Sequence, residues 1–293
     1  MEIGRAPAAE AERVESVPFD GWAPEVLDVP SYLARLCLEG MPEPSAAGLR
    51  TLHRAHVGAI PYENLAIIAG RGVDLALPAL QAKLVARRRG GYCFEHNLLF
   101  AAALERAGFA VTRLAGRVRL GAAFVRPRTH IVLLVSAGGR RWLADVGFGG
   151  EGPLEPIPLE HGRATRQDGW TYRLVCETSG WAWALQLLRH EGWVDLYGFT
   201  LDQQHPIDYV VANHFTSTHP ISAFTRVVTA QRTGPHVRWT MRGRRLTESE
   251  PDGTTRDQEL EAGDLDGVLR GRFGIELDAD ELDAVCRRWP DQP

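Results

Sequence analysis

The sequence has no run of the ~18–20 uninterrupted apolar residues that a membrane-spanning helix requires, although 44% of its 293 residues are hydrophobic. That excludes a helical membrane protein and leaves enough apolar material for a sizeable core, in one large domain or two to three small ones. No block of like charge is present: 33 basic residues are spread along the chain against 37 acidic ones, for a net charge of −4. A nucleic-acid-binding face needs clustered positive charge, so nucleic acid is excluded as the main partner. Cysteine is scarce, with Cys37, Cys93, Cys176 and Cys286 far apart and no CxxC pair. An even count allows disulfides, but a chain of this length without an export signal points to reduced thiols and a cytoplasmic location. The histidines never join cysteine at finger spacing, so no metal site is expected. There is no internal repeat and no long low-complexity tract. Residues 1–28, from Met1 to Asp28, lack the apolar core of a signal peptide and read as a poorly ordered extension. The oligomeric state is open, and a homo-oligomer is compatible with the sequence.

The first third reads as helical. One helix begins at Ser31 after Pro30, a second is capped by Ser45 and runs through Leu49, Leu52, His53 and His56, and a third opens at Pro78. After the pair Gly90-Gly91, the residues from Cys93 to Leu104 are helix formers with a continuous apolar face, so Cys93 stands at or near a helix N-terminus. From Ala110 the pattern changes to β-branched and apolar runs: 111–118, 129–135 and 141–146, the last two joined by a turn at Ala137-Gly138-Gly139. Further strands are expected at 170–176, 181–188, 224–229, 237–241 and 244–246, with helices again at 264–269 and 279–288. The fold class is α+β in three parts: a helical bundle (29–108), a β part (109–210) and a smaller α/β tail (211–293).

A thiol becomes a strong nucleophile when its pKa falls, and a helix N-terminus or a neighbouring imidazolium lowers it. Among the four cysteines only Cys93 has such a setting, with two glycines that let the backbone turn sharply before it. The other three lie in apolar patterns and read as packing residues. A cysteine nucleophile needs a base, and the base an orienting group. His130 interrupts an apolar strand, and Asp145 interrupts the next one. Either alone is more simply a core residue with one satisfied hydrogen bond, but a buried carboxylate is costly unless paired. Both stand at comparable distances from the Gly138-Gly139 tip and are expected to face each other across the hairpin. The two placements explain each other as the base and acid of a triad.

The segment Arg89-Gly90-Gly91-Tyr92-Cys93-Phe94-Glu95-His96-Asn97 resembles the signature of the arylamine N-acetyltransferases. The segments Ile60-Pro61-Tyr62-Glu63-Asn64-Leu65, Arg128-Thr129-His130, Asp145-Val146-Gly147-Phe148-Gly149 and 211–220 match the same family pattern, so the likeness runs from about Tyr32 to the last helix. Only the N-terminal extension departs from it. The resemblance implies a helical bundle, a β-barrel and an α/β lid, with a cysteine-protease-like core of Cys93, His130 and Asp145. It implies acetyl transfer from acetyl-coenzyme A to an arylamine, hydrazine or N-hydroxyarylamine through an acetylated Cys93, without a metal. It further implies that Tyr92, Phe148 and Phe215 line the acceptor pocket, although aromatic residues more often fill cores. The Gly-rich loop of Gly147, Gly149 and Gly150 is a candidate for the pantetheine arm or pyrophosphate of the coenzyme. The polar stretch 213–219, with Thr216, reads as a turn-like segment beside the same cleft.

Arg87-Arg88-Arg89 is a short basic run of the kind that usually ends a helix in solvent. Arg89, next to the glycines, is instead expected to be buried and paired with Glu63. Two rival activities share the triad: a macrolactam-forming amide synthase of a polyketide pathway, and a papain- or transglutaminase-like hydrolase.

Overall fold

The computed structural model describes residues 21–289 apart from 123, 179 and 262. Of the N-terminal extension, residues 1–20 lie outside the described residues. The remainder is folded onto the protein: Pro24–Val26 form a 3-10 turn, the Arg106 guanidinium donates to the Glu25 carbonyl at 2.8 Å, and Arg113 lies over the Trp22 ring at 4.0 Å.

Helix α1 (Val29–Arg35) starts two residues before Ser31, because the Asp28 carboxylate accepts the Ser31 N–H at 3.1 Å and serves as the cap. Cys37 follows it in a left-handed turn (φ 58°), exposed, so it is not the packing residue expected from the sequence. Helix α2 (Ala46–Ala59) is capped by Ser45, and leads into β1 (Tyr62–Glu63), α3 (Leu65–Ile68), α4 (Leu77–Leu80) with its π-helical continuation Gln81–Ala86, and α5 (Cys93–Arg106). Eight strands follow: β2 (Ala110–Val118), β3 (His130–Ala137), β4 (Arg140–Ala144), β5 (Ile157–Pro158), β6 (Ala164–Gln167), β7 (Trp170–Thr178), β8 (Ala182–Arg189) and β9 (Gly192–Gln203). They form one antiparallel sheet in the order β5-β4-β3-β2-β9-β8-β7-β6. The segment after β5 turns back onto β7, where Gly162 N–H donates to Leu174 O at 2.7 Å, so the sheet curls into a nearly closed barrel.

The chain leaves the barrel through α6 (Pro206–Thr218) and builds a second sheet from β10 (Thr229–Thr233), β11 (Arg238–Arg242), β12 (Arg245–Ser249) and β13 (Thr255–Glu259), with β1 on its edge against β10. Helices α7 (Leu265–Val268), continued as a π turn to Phe273, and α8 (Ala279–Cys286) cover it. This is the three-part α+β architecture the resemblance implied.

Two expectations fail here for identifiable reasons. The stretch 213–218 is helix rather than turn, with His219 its extended cap, because the hydroxyls of Thr216, Ser217 and Thr218 donate to the carbonyls of Ala212, Asn213 and His214 and so spend their polarity inside their own helix. The strand expected at 224–229 begins only at Thr229. The Asn64 amide N–H group donates to the carbonyls of Phe224 and Val227, and its oxygen accepts the Thr229 N–H, which pins the preceding residues as a 3-10 turn (Ala223–Thr225) and a short link.

Three hydrophobic clusters are present among the described residues, one under the helices, one inside the barrel and one beneath the second sheet. The third takes Leu65 and Ile68 from α3, so the N-terminal helices and the tail share a core.

Candidate active site

Cys93 is the first residue of α5 and is 4% exposed. The backbone before it runs along β1, with Glu63 N–H donating to Gly91 O at 2.8 Å. Neither Gly90 nor Gly91 adopts a positive φ, so the sharp turn expected of them is absent. Glycine is required for close approach instead: a Cβ on Gly90 would lie 2.2 Å from the Pro61 carbonyl oxygen, and one on Gly91 would lie 2.7 Å from the Glu95 carboxylate. That carboxylate closes the helix start by accepting the Tyr92 N–H at 3.0 Å, while its other oxygen accepts from Lys83 Nζ at 2.7 Å. The Cys93 Sγ lies 3.5 Å from the Thr129 carbonyl, directly before His130.

His130 and Asp145 meet, but diagonally rather than face to face. The register pairs Leu133 with Ala144, so Asp145 falls one step past the end of β4, level with Val132. On a pleated sheet the side chains of 130 and 132 share one face, and the carboxylate reaches along it until Oδ2 is 2.7 Å from His130 Nε2. Burial disfavours the imidazolium, but the charge and hydrogen bond of Asp145, followed by the hydrogen bond to Cys93, overcome it and push His130 up to about 10. With Nε2 committed to Asp145, Nδ1 is the nitrogen that addresses the thiol. Burial alone would raise the Asp145 carboxyl; His130, Asn97 and the Gly147 N–H together hold it below its ordinary value.

Asn97 is the residue that sequence reasoning quoted but gave no role. It lies one helical turn beyond Cys93, fully buried, and its Nδ2 donates to Ile131 O and to Asp145 Oδ1, each at 2.9 Å. Its oxygen accepts the Val146 N–H at 3.1 Å. One amide thus ties α5 to both arms of the hairpin. Its i, i+4 spacing from Cys93 was the available signal.

The other expected site residues divide. Phe148 is half-buried and packs edge-on to the His130 ring at 5.3 Å. Tyr92 is fully buried, its hydroxyl donating to Asn213 on α6 and its ring packed on Phe94 and Phe224, so it backs the site rather than opening onto it. Phe215 stacks on His219 within its own segment at 4.7 Å, and the aromatic residue that reaches Tyr92 from this region is Phe224. The Thr216 hydroxyl is occupied by Ala212 O.

Two N–H groups of the Gly-rich loop are engaged within the protein: Gly147 donates to Asp145 Oδ1 at 2.9 Å and Gly150 to Gln231 Oε1 at 2.7 Å. Its glycines serve close packing, since a Cβ on Gly147 would stand 2.9 Å from Cys93 Cα and one on Gly149 would strike the Gln231 amide. Neither of these two N–H groups is free to take part in a cradle for a phosphate.

Behind Cys93, the Arg89–Glu63 pair is present at 2.8 Å, with side-chain exposures of 1% and 0%. Arg89 also binds Glu281 of α8 at 2.7 Å, so the tail closes on the same guanidinium. Burial would raise the Glu63 carboxyl, but Arg89 above all holds it below its usual range. Arg89→Met would leave two buried carboxylates without their shared cation, and is expected to destabilise the protein by ~3–5 kcal/mol in urea unfolding. A loss within the ordinary surface range of about ±0.5 kcal/mol would show that the pair is dispensable.

A thiol at a helix start, an imidazole raised by a buried carboxylate and a half-buried aromatic wall meet at one place in the fold. The N-acetyltransferase family profile matches residues 46–282. The arylamine N-acetyltransferase of Mycolicibacterium smegmatis is 40% identical over 257 residues, covering 86% of this chain and 93% of that protein. The crystal structure of the Nocardia farcinica arylamine N-acetyltransferase superposes with a TM-score of 0.86 at 42% identity, covering 92% of this chain and 97% of that one. That of Mycobacterium marinum arylamine N-acetyltransferase in complex with CoA gives 0.82 at 36% identity, with 89% and 99% covered. The chain belongs to the arylamine N-acetyltransferase family.

Proposed function

We propose that this protein transfers an acetyl group from acetyl-coenzyme A to the nitrogen of an arylamine or arylhydrazine, or to an N-hydroxyarylamine, by way of an acetylated Cys93. The observation that carries this reading is the 2.7 Å contact between His130 Nε2 and the buried Asp145 carboxylate, which leaves Nδ1 to the Cys93 thiol. The names of the relatives supply the acyl donor and the acceptor class.

In the first half-reaction the Cys93 sulfur attacks the thioester carbonyl, a new C–S bond forms, and the bond to the coenzyme sulfur breaks as His130 delivers a proton to it. Thioester is exchanged for thioester, so this step is nearly balanced. In the second, the neutral arylamine nitrogen attacks the acetyl carbon, the C–S bond to Cys93 breaks, and the amine proton passes to His130. The Cys93 N–H, which heads α5 with no helical partner, is assigned to the developing oxyanion. Phe148 is assigned to the acceptor side, because its ring is half-buried against the base.

A cytoplasmic location fits four cysteines that are all unpaired, and no described helix is long and apolar enough to cross a membrane.

Intact-mass measurement tests the reading. Incubation with acetyl-coenzyme A should add one acetyl group, mapped to Cys93, and a simple arylamine should discharge it as the N-acetyl product. A protein that acquires no acetyl group, or loses it only to water, would refute the proposal and favour an amide synthase or a hydrolase.

A further inference from the structure

The aspartate of the site sits where its strand ends. Beyond Ala144 the ladder to β3 stops, and this break lets the Asp145 carboxylate run diagonally to His130. It also leaves a buried backbone N–H at Asp145 in need of an acceptor. The acceptor is a side chain from a different layer. The Asp145 N–H donates to His53 Nε2 at 3.2 Å, and the opposite ring nitrogen, Nδ1, lies 3.0 Å from the Leu154 carbonyl.

The proton arrangement of His53 follows from its partners. A backbone N–H only donates and a carbonyl only accepts, so Nε2 is bare and Nδ1 carries the hydrogen. The ring is fully buried and stands edge-on to Phe100 at 5.7 Å, which fixes its plane. Both of its anchors are rigid. On one side is α2. On the other, the Gln167 amide holds the peptides of Leu154 and Glu155 through three hydrogen bonds of 2.8, 3.0 and 2.8 Å.

We propose that His53 is a positioning residue of the triad: by accepting the Asp145 N–H from this fixed frame, it sets the peptide orientation from which the carboxylate meets His130. The proposal rests on the reading of Asp145 as the acid of the triad. The charged and titratable groups acting on His53 are Asp145 and Arg54, with the buried His56 beside it. Arg54 directs its guanidinium outward to Glu155 and Asp168. Burial first, opposed by the Leu154 bond and by Asp145, brings His53 down to about 4. The bare Nε2 therefore persists across the neutral range.

The test compares His53→Leu, which removes both hydrogen bonds at similar volume, with His53→Gln, whose amide oxygen and NH₂ group reproduce the acceptor and the donor. Single-turnover acetylation of Cys93 by acetyl-coenzyme A is measured against pH, alongside thermal unfolding. His53→Leu is expected to slow acetylation at neutral pH by about 10–100-fold, the scale of an ångström-level misplacement in a site, and to move its profile to higher pH. His53→Gln should restore both rate and profile. A folded His53→Leu protein with wild-type rate and profile overturns the proposal, as does a folded His53→Gln protein as slow as His53→Leu. Should His53→Leu fail to fold, the wild-type protein still decides: long-range proton–nitrogen NMR should find His53 as the Nδ1–H tautomer, and the Nε2–H tautomer would refute the role. Asp145→Asn in the same assay separates the two readings, because an unshifted profile there would remove the triad itself.

Discussion

Cys93→Ala is expected to abolish acetyl transfer, with a loss of about 10⁶-fold, the scale seen when the nucleophile is removed from a serine hydrolase. The uncatalysed attack of a weakly basic arylamine on a thioester is slow. Cys93→Ser should be almost as inactive, since a serine hydroxyl keeps the shape but ionises far less readily than a thiol. Either variant should fold, because Cys93 contributes a small side chain at a helix end whose cap is made by Glu95. Substitution of Cys37, Cys176 or Cys286 should leave turnover largely intact. Alkylation by iodoacetamide sharpens the test. Cys37 is exposed and Cys93 is 4% exposed, so accessibility alone would label Cys37 first. Cys286 is slowed by burial and by Asp283 and Asp266, which push its thiol up. Cys93 is nevertheless expected to react fastest, because it alone faces an imidazole that retains its proton up to about pH 10. Faster labelling of Cys37, together with activity surviving in Cys93→Ala, would refute the assignment.

The sequence made some of this legible and concealed the rest, for physical reasons. Helix α5 could be read because helix formers with an apolar face follow a glycine pair. The β3–β4 hairpin could be read because Gly138 and Gly139 both need positive φ, here 58° and 71°. The meeting of His130 and Asp145 was inferable because two buried polar residues in apolar strands are each costly alone. Their diagonal offset was not, since it depends on where the ladder stops. Strand β9 escaped notice because Asp195 and Gly198 interrupt its apolar pattern; the Arg119 guanidinium lies over Gly198, 2.4 Å from where a Cβ would stand. Helix α6 was mistaken for a turn because its hydroxyls look polar in one dimension and are satisfied internally in three. The glycines around Cys93 and Phe148 were noticed but given the wrong reason, because a neighbour that forbids a Cβ lies far away in sequence. His53 and Asn97 each bond backbone groups in segments tens of residues away; the i, i+4 spacing from Cys93 pointed to Asn97, whereas no local pattern marks the partners of His53.

Asp145→Asn should lower the rate of Cys93 acetylation at neutral pH by about 10⁴-fold, as when a serine protease loses the aspartate behind its histidine. The structure predicts which way the new amide will point. Oδ1 of Asp145 accepts two hydrogen bonds, from Asn97 Nδ2 and the Gly147 N–H, both at 2.9 Å. An asparagine keeps both only if its oxygen stays at that position, which places its NH₂ group where Oδ2 now meets His130 Nε2. Nε2 must then accept, so the ring proton moves to Nδ1, the nitrogen that should take the thiol proton. The base is therefore held in the wrong tautomer. The charge effect acts in the same direction. His130 is raised because Asp145 outweighs burial; with the carboxylate gone, burial prevails and the ring is neutral throughout the neutral range. The wild-type protein, with His130 protonated up to about pH 10, is expected to acetylate Cys93 over a broad pH range. In the variant, ionisation of the thiol falls to bulk hydroxide, and the rate should climb only through the region where ordinary thiols ionise, about pH 8.5. Circular dichroism and thermal unfolding accompany the kinetics, because a buried carboxylate with three donors also holds the hairpin to α5. A folded Asp145→Asn protein that keeps both the wild-type rate and the broad profile would make Asp145 a purely structural residue and remove the third member of the triad.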